Sequence, residues 1–452
     1  MKLPLAPPNA WEVLGRSPDA FKKVLAAGLL PTVGDKYRHW DMLRQLPPPG
    51  ELTHEEWWAG IKLARQSLLR PLPLTDGTGL PFVFAMPDPA WEMVHQIDQK
   101  ASGEITFPEL VANDQSRRRY LVSSLIEEAI TSSQLEGAST TARVAKEMIK
   151  SGRAPRSVSE RMILNNYGAM SSMRSWSTEP LTLQRIYQLH RILTENTLED
   201  PTEAGRPQLP GETRVMVIDR SDGKTLHRPP PAELLPERLE ALCRFANAAE
   251  ISGFMHPVVR SILVHFWLAY DHPFSDGNGR TARALFYWSM LRQGYRLTEF
   301  LSISRILKKA PAQYARAFLY TESDDRDTTY FLLYQLNVIC RAIDELHVYL
   351  ARKIREVRKA EELLQDTNLN HRQLAVIGHA LRNPDAEYTF RSHMTSHRVV
   401  YESARSDLLE LEGMGLLARI QMGRQFVFRP ARDLSDRLDL VKRGTGVQVV
   451  PA

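Results

Sequence analysis

The chain has 452 residues, 43% of them hydrophobic and 25% charged, which by length suggests about three domains and leaves ample apolar material for cores. Lys and Arg number 58 against 53 Asp and Glu, and the resulting +5 excludes a global affinity for nucleic acid or membrane, so any basic surface must be local. The two cysteines, Cys243 and Cys340, stand far apart, which argues against a disulfide scaffold or a cysteine metal site; both read as buried helix residues.

The first residues, Met1 to Pro8, lack the continuous apolar core of a signal peptide, and no apolar run approaches membrane-spanning length. The expected location is the cytoplasm, with no membrane partner. From Trp11 to about Leu72 the pattern predicts short helices broken at Pro47-Pro48-Pro49-Gly50 and Pro71-Leu72-Pro73, with aromatic mass from Trp40, Trp57 and Trp58. Thr53 followed by Glu56 reads as a capping box opening one of them. This region carries no chemistry and reads as an accessory domain or a brace.

From Arg119 to about Glu136 a helical stripe runs through Val122, Leu125, Ile126 and Ala129, and Gly137 is a plausible C-cap. A glutamate in that last turn faces the negative end of the helix dipole unless a cation pairs with it. Further helices carry Met162, Tyr167 and Met170, then Leu183, Ile186, Leu189 and Leu193. The character changes after Gly205. Arg214 to Ile218 and Lys224 to Arg228 flank Ser221-Asp222-Gly223, a strong hairpin signal in a helical chain. Pro229-Pro230-Pro231 closes it and leads into a helix with Leu239 and Leu242.

The stretch His272-Pro273-Phe274-Ser275-Asp276-Gly277-Asn278-Gly279-Arg280-Thr281-Ala282-Arg283 joins two amphipathic helices, one marked by Val259, Ile262, Leu263, Phe266 and Tyr270, the other by Ala284, Leu285, Trp288 and Leu291. Gly277 and Gly279 permit positive φ and close approach of a ligand, and the unpaired N–H groups of a helix start outline an anion site. Arg280 and Arg283, read as lying in the first turn, oppose the dipole at about 0.3–1 kcal/mol each unless an anion sits between them. Polyphosphate answers that need. Asp276 offers one hard oxygen ligand, enough for a Mg²⁺ that keeps most of its waters, and His272 is the group expected to titrate near neutrality, as a general base must.

Beyond this, Asp327 to Phe331 opens a long helix through Leu336, Ile339, Ile343, Leu346 and Leu350 that continues as a charged spacer over 352–362. Residues 374–430 read as three helices, with Ala404, Leu408 and Leu411 inward in the third, and a hairpin around Gly423-Arg424. That is the pattern of a winged helix-turn-helix. From Arg372 to Arg432 nine arginines face six acids, a margin of three, so nucleic acid and protein are about equally suited as partners; Arg398, Arg405 and Arg424 are where phosphate or base contacts would fall. The tail beyond Asp433 carries no readable signal.

The His272–Arg283 stretch resembles the signature of the Fic family, His-Pro-Phe-x-(Asp/Glu)-Gly-Asn-Gly-Arg-x-x-Arg, at every fixed position. The resemblance implies a mainly α fold, a Fic-type helical core with a β-hairpin flap, and an enzyme that moves AMP from ATP, with Mg²⁺, to a Ser, Thr or Tyr hydroxyl of a target protein. It implies that His272 accepts the hydroxyl proton, Asp276 holds Mg²⁺, Gly277, Asn278 and Gly279 cradle the α- and β-phosphates, Arg280 neutralises the β/γ end and Arg283 grips the γ-phosphate. Ser132, Glu136 and Gly137 match the family's (Ser/Thr)-x-x-x-Glu-(Gly/Asn) inhibitory helix, so Glu136 would pair with Arg283 and keep basal activity low. The hairpin would be the flap on which a target strand docks, although Arg206 to Glu212 depart from the family's Gly-x-(Phe/Tyr)-Arg pattern. Ser304 to Leu307 and Gln313-Tyr314 resemble the segment closing the adenine side, with Tyr314 beside the base or simply in the core.

Relatives also remove AMP or move UMP or phosphocholine, and homodimers are common among them. A nucleotide-sensing DNA-binding regulator is the competing class. The expected division is an N-terminal helical region (1–85), helices over 86–204 including the inhibitory helix (about 120–137), a catalytic core (205–350) holding flap (214–228) and signature (272–283), a charged spacer (351–370), a winged helix-turn-helix (371–432) and a tail (433–452).

Overall fold

In the computed structural model the chain is mainly helical, and it describes residues 3–101, 114–219, 222–249, 253–365, 367–422 and 425–442. Two compact units divide at residues 346 and 347, within one long helix. No helix among the described residues is long and apolar enough to cross a membrane.

The first unit opens with α1 (Ala10–Gly15), α2 (Pro18–Ala26), α3 (Trp40–Leu43) and α4 (His54–Gln66). Thr53 and Glu56 form the capping box that starts α4, and Trp40, Trp57 and Trp58 pack with Val13, Leu14 and Leu43. Residues 1–85 were expected to be a helical region of short pieces broken at prolines, with no strand, but β1 (Arg70–Thr75) and β2 (Pro81–Phe84) form an antiparallel hairpin. Its signal was present: apolar Leu72, Leu74, Phe82 and Phe84 alternate around an Asp76 whose carboxylate accepts the Thr78 and Leu80 N–H groups at 2.8 and 3.0 Å.

Then come α5 (Asp88–Ala101), α6 (Asp114–Leu135), α7 (Ala142–Ser151), α8 (Val158–Trp176) and α9 (Leu183–Thr194). The buried face of α6 is rotated from the expected stripe: Val122 is exposed, while Ser124, Ile126, Glu128, Ala129 and Ile130 face inward. The flap is shorter than predicted, β3 (Val217–Ile218) pairing with β4 (Thr225–His227), and Ser221 of its turn lies outside the described residues.

The centre is α10 (Leu235–Ala246), α11 (Pro257–Asp271) and α12 (Asn278–Arg292). The sequence suggested amphipathic helices, yet 13 of the 15 residues of α11 and 12 of the 15 of α12 are buried. Other helices cover them on all sides, so Phe266, Trp267, Phe286 and Trp288 each contribute about 2–3 kcal/mol of burial. The loop between these two helices is therefore held from both ends by core. The unit ends with α13 (Ile303–Lys309), α14 (Pro311–Ser323) and the first part of α15 (Thr329–Leu364).

The N-terminal helices brace this core. Arg65 of α4 is fully buried, donates to Tyr330 Oη, Pro31 O and Arg38 O, all at 2.9 Å, and lies 3.5 Å from the Tyr37 ring centroid; Lys62 pairs with Asp324 at 2.7 Å. Cys243 is buried as expected, but Cys340 is only half-buried.

The second unit holds the end of α15, then α16 (His371–Arg382), α17 (Phe390–His397), α18 (Tyr401–Gly413), the antiparallel pair β5 (Leu417–Met422) and β6 (Gln425–Pro430), and α19 (Leu434–Lys442). Ala404, Leu408 and Leu411 point inward from α18. Asp407 is the buried hub: it accepts from Arg372 at 2.7 Å, Asn370 at 2.8 Å and His393 at 2.9 Å, and those donors hold its carboxyl far below the usual carboxylate range against the opposing effect of burial. Gly423 and Arg424 lie outside the described residues. The tail was expected to be featureless, but α19 packs Leu434 and Leu438 into this core. Their i, i+4 spacing was the missed sign.

Candidate active site

The loop after α11 begins with an uncommon backbone. His272 caps the helix at φ 45°, a left-handed conformation that a non-glycine residue keeps only when its surroundings impose it. Three anchors do so. Arg214, at the base of the flap, donates from Nη2 to Asp271 O at 2.7 Å and His272 O at 3.1 Å and from Nε to Pro230 O at 2.8 Å. The Gln208 N–H donates to Pro273 O at 2.8 Å. Asp271, fully buried, accepts from Arg238 Nε at 2.8 Å and from Trp267 Nε1 at 3.1 Å.

Further along, Asn278 clamps Phe274, accepting its N–H at 2.9 Å and donating to its carbonyl at 2.8 Å. The Phe274 ring stacks on His190 with centroids 3.8 Å apart. His190 accepts from Gly205 N–H at Nδ1 and donates from Nε2 to Asp276 O, both at 2.9 Å, and burial lowers its pKa to about 4. Gly277 has φ 78° and starts α12; a Cβ there would stand 2.8 Å from Thr194 Cγ2. Gly279, expected to need positive φ, is helical instead. A Cβ there would press on the Glu136 carboxylate, the movable end of a side chain.

The two arginines differ. Arg280 lies in the first turn, fully buried, donating to Leu193 O at 2.8 Å and Asp276 Oδ2 at 3.3 Å. Arg283 was read as a first-turn residue, but α12 begins at Asn278 and places it in the second turn, 2% exposed. Its Nε donates to Ser132 Oγ at 2.8 Å, and its Nη2 donates to Ser132 O at 3.0 Å and to Glu136 Oε1 at 2.7 Å. Gly137, at φ 102°, ends α6 and lets the Ala138 N–H reach back to Ser133 O at 3.0 Å. Burial raises the Glu136 carboxyl pKa, but the Arg283 guanidinium outweighs it, so the group lies below its ordinary value and is ionised at neutral pH.

One cavity of about 200 Å³ brings His272, Gly279, Arg283, Glu136 and Tyr314 together, roofed by Val217 and Leu226 of the flap strands. Asn278, Gly277, Arg280, Ser132 and Gly137 support its walls without lining it. Tyr314 is engaged by His265 Nε2 at 2.8 Å, and burial raises its pKa. His272 does not titrate near neutrality as predicted: burial first, and neighbouring His227 second, lower it to about 4. It is a neutral proton acceptor at pH 7. Its Nδ1–H points at Ala269 O, 3.4 Å away, which leaves Nε2 as the lone-pair nitrogen.

Asp276 is exposed, with Oδ1 accepting from the Gly277 N–H at 2.6 Å. No group of three or more His, Cys, Asp or Glu among the described residues could hold a metal. The donor set therefore suits a cation held by one carboxylate, water and phosphate oxygens, and does not form an all-protein cage.

Arg214, Gln208, His190 and Glu128 escaped the sequence reading. Buried Glu128 accepts Ser302 Oγ and Ser304 N–H, each at 3.0 Å, and ties α6 to the start of α13. Only Arg214 had a visible signal, a cation at the mouth of an apolar strand.

A profile of the Fic/DOC family matches residues 180–290. The chain is 28% identical over 210 residues to "Protein adenylyltransferase Fic" of Nematostella vectensis, covering 45% of each chain, and 32% identical over 124 residues to "Protein adenylyltransferase fic-1" of Caenorhabditis elegans, covering 27% of this chain and 22% of that one. It thus spans less than half the length of either. The fold is similar to that of a Fic family protein from Desulfovibrio desulfuricans G20, with a TM-score of 0.51 at 17% identity over 76% of this chain and 97% of that one. The left-handed histidine and the glycine start of α12 both fall inside the matched region: residues 180–290 of this chain are similar to the Fic/DOC family in sequence and carry its fold.

Proposed function

We propose that this chain transfers AMP from ATP to a hydroxyl of a protein segment and is restrained in cis by Glu136. The observation that carries the reading is that the His272 imidazole and the Glu136–Arg283 pair face one cavity under the flap. Neutral His272 Nε2 takes the hydroxyl proton as the hydroxyl oxygen bonds the α-phosphorus, and the bond from that phosphorus to the pyrophosphate oxygen breaks. The α12 start and Arg283 are the cationic side of the cavity, suited to the phosphates. Asp276 would hold Mg²⁺, which when bound neutralises phosphate charge. Glu136 occupies the guanidinium that the γ-phosphate requires, and the flap strands offer an edge to an extended target segment.

The test is incubation with labelled ATP and Mg²⁺: wild type labels itself or lysate proteins weakly, Glu136→Gly strongly, and Glu136→Gly with His272→Ala not at all. Equal labelling by the His272→Ala variant ends the assignment.

One observation favours a second reading. Glu136 is ionised beside Gly279, where a carboxylate can orient water, so removal of AMP from a modified target is the alternative on the same cavity. Release of AMP from a purified adduct by wild type, and its loss in Glu136→Gly, selects that reading. In the second unit Arg391, Arg398 and Arg405 are exposed, whereas Arg372, Arg419 and Arg429 are taken by Asp407, Glu412 and Glu387. A DNA-binding role for this module requires retarded duplex at physiological salt.

A further inference from the structure

A second cavity, of about 670 Å³, lies where the ends of α8, α10 and α12 meet the start of α11, and it shares no lining residue with the catalytic cavity. Four guanidinium groups line it, from Arg174, Arg260, Arg292 and Arg296, against the one carboxylate of Glu299, 3.5 Å from Arg174 Nε.

Two of these cations are accounted for by local structure. Arg174 and Arg292 stand in the last turns of α8 and α12, where the helix dipole favours positive charge, and Arg292 also donates to Ser177 O at 3.4 Å and lies 5.7 Å from the Trp288 ring centroid. Arg260 has no such account. It sits near the start of α11, where the dipole is positive, and is only 8% exposed. Its Nε is sealed from water with no hydrogen-bond partner among the described residues, and burial depresses its pKa with no charge among them acting to raise it. A buried guanidinium without a counter-ion destabilises a fold, and an anion in the cavity it faces removes that cost.

The walls say what kind of anion. Among the described residues Ser177, Thr178 and Gln293 supply polar atoms, Asn247 is tied to the Leu181 backbone, Leu291 and Ala248 are apolar, and no aromatic ring lines the cavity. Nothing there would stack a nucleobase or cover an acyl chain, whereas several guanidinium forks match phosphoryl oxygens. The volume exceeds one phosphate. We propose that this cavity binds a small anion carrying two or more phosphoryl groups, through Arg260, Arg292 and Arg296, independently of the catalytic cavity.

Titration calorimetry and thermal melting of the full chain with inorganic pyrophosphate, without Mg²⁺ and in 150 mM NaCl, test this. Wild type and Arg283→Gln should bind pyrophosphate with similar affinity and melt higher with it. Arg296→Gln, a surface change, should weaken binding about tenfold or more. Arg260→Met should abolish the pyrophosphate-dependent rise yet melt no lower than wild type in the same buffer without pyrophosphate, because it removes an unpaired charge. Unchanged affinity in Arg296→Gln, loss of binding in Arg283→Gln, or equal binding of chloride or sulfate overturns the proposal.

Discussion

Arg283 and Arg260 are both buried guanidinium groups lining a cavity of the first unit, and they meet opposite fates. Arg283 has Ser132 of α6 and the Glu136 carboxylate just beyond it in contact, so its pKa rises; Arg260 has neither kind of partner among the described residues, and its pKa falls. The difference teaches that a cation prepared for phosphate can be kept in the folded chain in two ways. On the proposed reading, supplying an internal substitute anion stabilises the fold and would silence the site, while leaving the charge bare would keep the site available at the expense of stability.

The sharpest way to break this comparison is His272→Ala in a Glu136→Gly background, expected to lower label transfer by about 10²- to 10⁴-fold with ATP binding retained, measured by initial rates and equilibrium binding. Glu136→Gly alone should raise transfer about 10- to 100-fold. It should also make Arg283 resemble Arg260, lowering stability by roughly 3 kcal/mol in urea melts, with recovery on adding ATP and Mg²⁺. If stability is unchanged, Arg283 is satisfied by Ser132 alone. Arg214→Gln in the same background frees the Asp271 and His272 carbonyls and should lower kcat about tenfold with KM for ATP little changed, because the histidine loses its imposed backbone and the phosphate side does not.

The smallest effects concern pH. His39, His190 and His272 are lowered to about 4 and His265 to about 3 by burial, so as pH falls from 6.5 toward 4 the unfolded chain takes up protons that the folded chain does not. Stability should decline over that window, by about 1.4 kcal/mol per pH unit for each such histidine, as read from urea midpoints. Transfer by Glu136→Gly should show no acidic limb between pH 6 and 8. Glu136 has the same sign in a lower window: its depressed pKa means that the contact with Arg283 is lost only as pH falls below the ordinary carboxylate range, so acidification to pH 5 should not activate wild type.

What the sequence made legible was whatever is local. The signature loop, the end of α6 at Gly137, the capping box at Thr53 and the apolar faces of α16 and α18 follow from spacing and cap chemistry within a few residues. What it hid is non-local. Arg214 reaches carbonyls 57 and 58 residues away, and Glu128 finds its serines 174 and 176 residues away, so no short window contains both partners. The same reason explains the histidine: its titration is set by burial and by His227, neither of which periodicity reveals. Gly279 is instructive as well, since its glycine was legible and the reason for it was not.

Glu128 has a bearing on how restraint is lifted. It anchors α6 to α13 two turns before Glu136, through a carboxylate enclosed by Ser302 and Ser304 and raised in pKa by its burial. Pulling the whole rod away would strip that carboxylate of its donors, whereas unwinding only Ser133 to Glu136 leaves them in place and breaks the Glu136–Arg283 pair with the local bonds of Ser133 and Gln134. On the proposed reading, restraint would be lifted by fraying of the tip about this pivot, and deuterium uptake should quicken at Ser133 to Ala138 on adding ATP while the amides around Glu128 stay protected.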